Sequence, residues 1–126
     1  MSWAILHSPA CTAIWEVHGD EAPLWRYWGP RLPDGVVPPG PLRSQRPEPS
    51  FSLHHDVPLS LFPGIGMGWF GAPALAAHRA GVDWTHAATA CEVESIAPDT
   101  LRFHLRDDVA AVEVAITVRL DPLTNV

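Results

Sequence analysis

Residues 109–120 read VAAVEVAITVRL, and this stretch decides the fold class of the chain. One face of it carries the alternate apolar residues Val112, Val114, Ile116, Val118 and Leu120. The opposite face carries Glu113, Thr117 and Arg119, with Ala115 between them. A period of two is typical of a β-strand with one buried face and one solvated face. The stretch therefore predicts a strand of an antiparallel sheet.

Working outward toward the N-terminus, residues 89–96 and 101–106 alternate in the same way. Turn residues lie between these segments, at Pro98-Asp99 and at Asp107-Asp108. Residues 12–18 and 24–28 are rich in β-branched and aromatic side chains and flank a turn-like composition at residues 19–23. Consecutive hairpins whose strands each have one solvent-exposed face predict an all-β fold, an antiparallel β-sandwich.

The middle of the chain is irregular. Residues 29–50 are predicted to form a proline-rich loop, because residues 29–49 hold seven prolines and three glycines, and proline lacks the backbone donor that a sheet or helix needs. Residues 51–62 return to extended structure, and residues 63–71 (PGIGMGWFG) form a glycine-rich loop. We expect residues 1–126 to be a single β-sandwich domain. Because the chain stops without a capping helix or polar tail, we expect only the first part of a larger domain.

The composition is globular, with 47% hydrophobic and 17% charged residues. The net charge is −6 and all eight basic residues are arginine. No basic cluster exists beyond Arg43 and Arg46, which argues against nucleic acid and against an anionic membrane as partners. The N-terminus does not resemble a signal peptide, and we expect a cytoplasmic location. A disulfide between Cys11 and Cys91 is compatible with the sequence, but buried free thiols are favoured.

Cofactor motifs are weak. Gly66-x-Gly68-x-x-Gly71 matches the dinucleotide fingerprint formally, but that chemistry needs a strand before it and a helix after it. Pro63 and Pro73 bracket the motif, and the surrounding chain is antiparallel in pattern, so no NAD is expected. The chain has seven histidines, and their spacing does not match that of metal ligands. The adjacent residues His54 and His55 would point to opposite faces of a strand, so no metal is expected.

No catalytic group can be named. No serine lies in a GxSxG elbow, and a glycosidase needs two carboxylates placed across a sugar. The candidates by residue type alone are Glu92, Glu94, Asp107, Asp108 and Glu113. They alternate along predicted strands or lie in turns, where solvated acids are the usual case. We assign none of them a catalytic role.

The chain has six tryptophans, whose indole faces suit the C–H faces of pyranose rings. Trp15, Trp25 and Trp28 are predicted to fill the sandwich core. Trp69 lies in the glycine-rich loop, which could not bury it deeply, and is the best candidate for a surface contact with sugar.

The ordered set of segments resembles the N-terminal domain of family 36 glycoside hydrolases, the α-galactosidase or melibiase type. The segments that carry the resemblance are residues 24–29, 51–53, 61–66, 72–75, 100–105 with Asp107, 112–118 and 125–126. The resemblance implies a β-supersandwich, galactose-mutarotase-like, followed by a catalytic barrel that supplies the nucleophile and the acid/base. It also implies a strand over residues 74–78.

On this resemblance, the chain would be a non-catalytic accessory domain, inactive by itself, that supports barrel packing, oligomerisation and the sugar site for an α-galactoside. The family commonly has an acidic residue, an aromatic and an arginine after the glycines, where this chain has Trp69-Phe70-Gly71. We expect Trp69 and Phe70 to lie near the sugar, although glycine stands in the place of the arginine. The alternative is a free-standing carbohydrate-binding β-sandwich module. Self-association is also expected, edge to edge along residues 109–120 or through their apolar face.

Overall fold

The computed structural model describes residues 1–36 and 57–124. Within them lie six strands: β1 (Ser2–His7), β2 (Cys11–Val17), β3 (Leu24–Pro30), β4 (Ala90–Ala97), β5 (Thr100–Asp107) and β6 (Val112–Arg119). A short 3-10 helix, Ile65–Met67, lies between β3 and β4. The strands form two antiparallel three-stranded sheets in the orders β1-β2-β3 and β4-β5-β6. The prediction of an all-β, antiparallel fold is confirmed.

The core lies between the two sheets and is built around Trp15. This side chain is fully buried, with its ring centroid 4.5 Å from that of Trp25 and 5.6 Å from that of Phe103. Phe103 belongs to β5, the middle strand of the second sheet, so the aromatic contact joins the two sheets. Large buried aromatic surfaces make this contact a major part of the stability of the sandwich.

The first sheet contains a β-bulge that the sequence pattern did not indicate. Ile14 is paired with Tyr27 and Trp15 with Trp25, so Arg26 is the extra residue on β3. A bulge of this kind bends the strand and redirects one side chain. Here it lets Arg26 reach Glu16, as described below.

The strands predicted over residues 12–18, 24–28, 89–96, 101–106 and 109–120 agree with the structure except at their ends. Residues 109–111 belong to a turn and not to β6, because Asp107 accepts the amides of Val109 and Ala110 and Ala111 has a φ of 51°. The strand β1 was not predicted. It pairs with β2 over its whole length, from Ser2 opposite Val17 to His7 opposite Thr12.

The strand predicted over residues 74–78 is wrong. The structure has no strand there, and the nearest ladder contact is a single bridge between Arg79 and Val82. The segment instead uses its backbone to bind the loops on either side: the Ala74 amide donates to the Pro63 carbonyl at 2.7 Å, and the Ala77 carbonyl accepts from His86 at 3.1 Å. These groups are therefore not available for a sheet ladder.

The prediction that Trp28 fills the core is also wrong, because its side chain is 62% exposed. Trp28 lies opposite Ala13 near the end of β3, on an edge strand that no other strand covers among the described residues. Trp15 is buried and Trp25 packs partly buried against the core, as predicted.

Several predictions fall on residues outside the described ranges. They concern most of the proline-rich loop, with Arg43 and Arg46, the extended residues 51–56, with His54 and His55, and residues 125–126. Of residues 57–62, only Ser60 makes a ladder contact, an isolated bridge to Leu24. Cys11 and Cys91 are both buried and unpaired, which confirms the preference for free thiols.

Candidate functional site

The glycine loop, residues 63–71, packs backbone against backbone on residues 85–87. A Cβ added at Gly64 would collide with the carbonyl oxygen of His86. A Cβ added at Gly66 would lie 2.9 Å from the carbonyl oxygens of Thr85 and His86. Glycine is required here because a neighbouring backbone cannot move aside as a flexible side chain can. The glycines of the dinucleotide-like motif thus serve loop packing, and among the described residues no helix follows the motif.

His86 fastens this loop to the second sheet. Its side chain is 4% exposed, and its Nε2 lies 3.1 Å from the carbonyl oxygen of Ala77. A carbonyl oxygen only accepts, so Nε2 is the donor. On the other side of the ring, Nδ1 lies 3.5 Å from Oδ2 of Asp107 at the end of β5. The imidazole therefore holds the segment after the glycine loop by one hydrogen bond and lies against the turn between β5 and β6, where Nδ1 has no hydrogen-bond partner among the described residues.

Asp107 is a buried carboxylate held by backbone donors. Oδ1 accepts the amides of Val109 and Ala110 at 3.0 Å each, and Oδ2 accepts the amide of Ala87 at 3.2 Å. Burial by itself would raise the pKa of Asp107, but these hydrogen bonds, together with His86, act against it and hold the pKa below its ordinary value. Asp107 is therefore an ionised structural group that organises two loops.

The His86–Asp107 pair has the residue types of a catalytic dyad but not the surroundings. The cavity beside it measures about 10 Å³, room for about one water molecule, and it is lined mainly by apolar side chains such as Phe62, Leu75 and Leu105. A substrate cannot reach the imidazole through such a space. The pair lies where the segment after the glycine loop meets the second sheet.

The glycine loop presents an aromatic tip, Trp69 and Phe70. The two residues differ in accessibility. Phe70 is 89% exposed. Trp69 is half-buried, its Nε1 donates to the carbonyl oxygen of Ala72 at 3.1 Å, and its indole lies over Gly71. The structure thus brings both predicted residues to the surface side of one loop, with Phe70 the more accessible of the two.

A second candidate surface is a groove of about 590 Å³ between β3 and β6, a size typical of ligand sites. The side chains that line it are Ala13, Trp15, Trp25, Arg26, Tyr27, Trp28, Leu59, Val118, Arg119 and Leu120. Both arginines are engaged in ion pairs, Arg26 with Glu16 at 2.7 Å and Arg119 with Asp99 at 2.9 Å. Within residues 1–36 and 57–124, the buried indole N–H of Trp15 has no hydrogen-bond partner.

Sequence reasoning missed the buried ion pair of Glu16. Its carboxylate is 1% exposed and contacts Arg26 Nε at 2.7 Å and His18 Nε2 at 3.0 Å. A glutamate inside an otherwise apolar strand was the available signal, since a buried charge needs a partner. The partner itself could not be foreseen, because the bulge at Arg26 sets the pairing.

The remaining carboxylates named from the sequence are dispersed. Glu92 and Glu94 are exposed on β4, and Glu113 is exposed on β6. Asp108 is exposed and pairs with Arg106 at 2.7 Å. Within residues 1–36 and 57–124, no group of three His, Cys, Asp or Glu side chains could hold a metal ion, and no helix is long and apolar enough to cross a membrane.

A comparison with protein families adds one match. The family described as "Glycosyl hydrolase family 36 N-terminal domain" matches residues 21–126. No curated protein and no solved structure gives a significant match. The matched region begins after β2 and includes β3, the glycine loop and the whole second sheet.

Proposed function

The chain belongs to the family of glycosyl hydrolase family 36 N-terminal domains, and from this premise we propose that it is a non-catalytic accessory domain of an α-galactosidase-like retaining enzyme. In this role it supports the packing of a catalytic barrel and forms one wall of the site for an α-galactoside. The state of Asp107 supports a non-catalytic role. This buried carboxylate at the end of β5 has both oxygens bound by backbone amides.

The aromatic tip of the glycine loop carries this proposal. Phe70 is 89% exposed, yet the base of its loop is fixed by the packing of Gly64 and Gly66 on residues 85–87 and by His86. An exposed aromatic ring on a firmly held loop is typical of a surface that contacts another molecule. Aromatic faces suit the apolar faces of pyranose rings, so the tip fits a place at the rim of a sugar site.

The test joins this chain to a family 36 catalytic barrel that lacks its own N-terminal domain and measures hydrolysis of an aryl α-galactoside. We expect no turnover by the chain alone and a more stable, more active barrel when the two are fused. Phe70→Ala should lower kcat/KM of the fused enzyme, and Val109→Ala, at an 81% exposed position in the β5–β6 turn, is the matched control. Turnover by the chain alone, or a barrel unchanged by fusion, contradicts the proposal.

A free-standing carbohydrate-binding module is the second candidate, and the groove favours it. Trp25 and Trp28 line a space of about 590 Å³ without the help of any other domain. Titration of the chain alone with galactose and melibiose, followed by NMR, separates the two functions. Saturable shifts of the Trp25 and Trp28 indole signals support the module, whereas an accessory domain should give none.

A cytoplasmic location completes the proposal. It is supported by the two cysteines, which are both buried and unpaired, because disulfides are rare in the reducing cytosol. Fractionation of cells that express the native gene, followed by detection of the protein, tests the location directly.

A further inference from the structure

Asp34 and Gly35 form the only aspartate–glycine pair in the sequence, and no asparagine precedes a glycine. They occupy the two central positions of a β-turn after β3, in which the amide of Val36 donates to the carbonyl oxygen of Pro33 at 3.3 Å. Gly35 has a φ of 78°, a left-handed conformation that favours glycine at the third position of such a turn.

An aspartate followed by a glycine has a reaction of its own. The backbone nitrogen of the glycine attacks the side-chain carboxyl carbon, a nitrogen–carbon bond forms, and the carboxyl hydroxyl group leaves with the amide proton as water. Water then opens this succinimide ring at one of its two carbonyl groups. Opening at the side-chain carbonyl restores aspartate, whereas opening at the main-chain carbonyl gives isoaspartate, whose main chain runs through the former side chain. The two steps release and consume water and need no other reactant.

The structure leaves both reacting groups of this pair open. The side chain of Asp34 is 81% exposed. A Cβ built on Gly35 would meet no atom within 4 Å, so no neighbouring group crowds this residue. Within residues 1–36 and 57–124, no acceptor holds the amide of Gly35. The nitrogen can therefore attack without first losing a hydrogen bond to this part of the chain.

Arg31 is the group that restrains the reaction. Its Nη2 donates to Oδ1 of Asp34 at 2.6 Å. The arginine is itself anchored to the turn between β1 and β2, because its Nη1 donates to the carbonyl oxygen of Ser8 at 2.8 Å and its amide donates to that of Ala10 at 2.9 Å. Ring closure needs the Asp34 side chain to rotate until its carboxyl carbon meets the Gly35 nitrogen. An ion pair to an anchored arginine restricts such rotation.

We propose that Asp34–Gly35 is a site of spontaneous succinimide formation, where isoaspartate accumulates, and that the ion pair with Arg31 slows the reaction. Asp108 shows what is specific to the pair. It also lies in a turn, its side chain is 58% exposed, and it pairs with an arginine at 2.7 Å. Its next residue, however, is Val109, whose β-branched side chain hinders the approach to the backbone nitrogen.

The modification changes the turn locally. Isoaspartate adds one methylene group to the main chain between Pro33 and Val36, and it moves the free carboxylate to a new position. The hydrogen bond that closes the turn and the ion pair with Arg31 then cannot keep their present geometry. The bonds from Arg31 to Ser8 and Ala10 do not involve the turn, so the first sheet should stay folded.

Isotope-labelled water tests the site. The folded chain is incubated at pH 6 in water enriched in oxygen-18 and is then digested with trypsin in ordinary water. Trypsin releases residues 32–43, in which Asp34 is the only aspartate. Each cycle of ring closure and opening inserts one heavy oxygen, and chromatography separates the isoaspartyl peptide from the aspartyl one. We expect label and isoaspartate at Asp34 and none at Asp108 of the same sample.

Variants separate the two parts of the proposal. Gly35→Ala should lose most of the label, because a methyl group beside the attacking nitrogen hinders ring closure. Arg31→Ala should be labelled about threefold faster than the wild type, the size expected for the loss of an exposed ion pair. Arg106→Ala, which breaks the ion pair of Asp108 instead, is the matched control and should leave the rate at Asp34 unchanged.

Salt distinguishes the ion pair from a general loosening of the turn. Salt screens an exposed ion pair, so a higher salt concentration should speed the labelling of the wild type and leave that of Arg31→Ala unchanged. The proposal is overturned by an unlabelled Asp34, by equal labelling of Asp34 and Asp108, or by an Arg31→Ala rate no faster than that of the wild type. A wild-type rate that does not respond to salt overturns the role of Arg31.

Discussion

The backbone of Gly64 lies against the carbonyl oxygen of His86 so closely that no side chain can stand between them. His86 is itself buried, hydrogen-bonded to the Ala77 carbonyl and 3.5 Å from the Asp107 carboxylate. The aromatic tip therefore projects from a base in which a glycine, an imidazole and a carboxylate depend on one another. Predictions about stability follow from this arrangement and from the ion pair in the first sheet.

Gly64→Ala should destabilise the chain by about 2–3 kcal/mol, because the new methyl group forces the loop away from His86. The control is Gly19→Ala. Gly19 has a φ of 91° and no neighbour within 4 Å of an added Cβ, so only the left-handed backbone penalises that change, by about 1 kcal/mol. Urea denaturation of both variants makes the comparison. Equal losses would mean that the loop does not depend on the contact with His86.

Asp107→Asn should cost about 2 kcal/mol, because the carboxylate accepts three backbone amides in a buried position. The pKa of Asp107 is lowered in the folded chain from an ordinary value of 3.8, so the stability that the ionised group contributes is fully present above pH 3.8 and is lost as the pH falls through the folded pKa. Denaturation between pH 2 and pH 6 should show a shallower acid loss for the variant.

Asp99 provides the comparison for this pH dependence. The hydrogen bond from Arg119 lowers the pKa of Asp99, so it contributes in the same direction and the same acid range. Asp99 is partly exposed at the surface, and Asp99→Asn should flatten the acid limb less than Asp107→Asn does. The opposite order would contradict the role assigned to Asp107.

Arg26→Ala should destabilise the chain by about 3 kcal/mol, because it removes the 2.7 Å ion pair from a carboxylate, that of Glu16, which is only 1% exposed. Arg102→Ala is the matched control on the second sheet. Arg102 makes a 3.3 Å hydrogen bond to Thr117 at an exposed position, and its loss should cost about 0.5 kcal/mol or less. Thermal unfolding of the two variants separates them, and similar midpoints would be evidence against a buried ion pair.

Gly71→Ala should displace the indole of Trp69, because an added Cβ would lie 2.7 Å from its Nε1. The hydrogen bond to the Ala72 carbonyl would then break and the indole would move into water. The tryptophan fluorescence of Gly71→Ala should shift to the red, and the shift should be absent when Trp69→Phe removes this indole. Phe70→Ala, at the neighbouring exposed residue, is the control and should leave the spectrum unaltered. A residue larger than glycine at position 71 would need the space that the indole of Trp69 occupies.

Cys11 and Cys91 should resist thiol reagents in the folded chain. Burial, with a smaller effect of Glu92, raises the pKa of Cys91 to about 11, so almost no thiolate exists near neutral pH. A colorimetric thiol assay at pH 8 should detect neither cysteine until guanidinium is added, and then both. Rapid reaction before unfolding would show that the core around Cys91 opens locally.

Local periodicity was enough to predict most of the strands. The alternation of residues 112–118 and of the two segments before them predicted the second sheet, because a period of two reports a strand with one buried face wherever its partner lies. The β-branched and aromatic content of residues 12–18 and 24–28 predicted the hairpin formed by β2 and β3. The order of short motifs was enough to indicate the family, which the match over residues 21–126 confirms.

Tertiary contacts decided the rest, and the reason is physical. Residues 72–80 form no strand because their backbone groups bind Pro63 and His86, partners that no local pattern reveals. Trp28 has the residue type of a core side chain but lies on an edge that no other described strand covers. Glu16 can be buried because the bulge in β3 places the side chain of Arg26 in contact with its carboxylate. A sequence pattern states which side of an element avoids water, whereas the close approach of Gly64 to His86 depends on which distant segments meet.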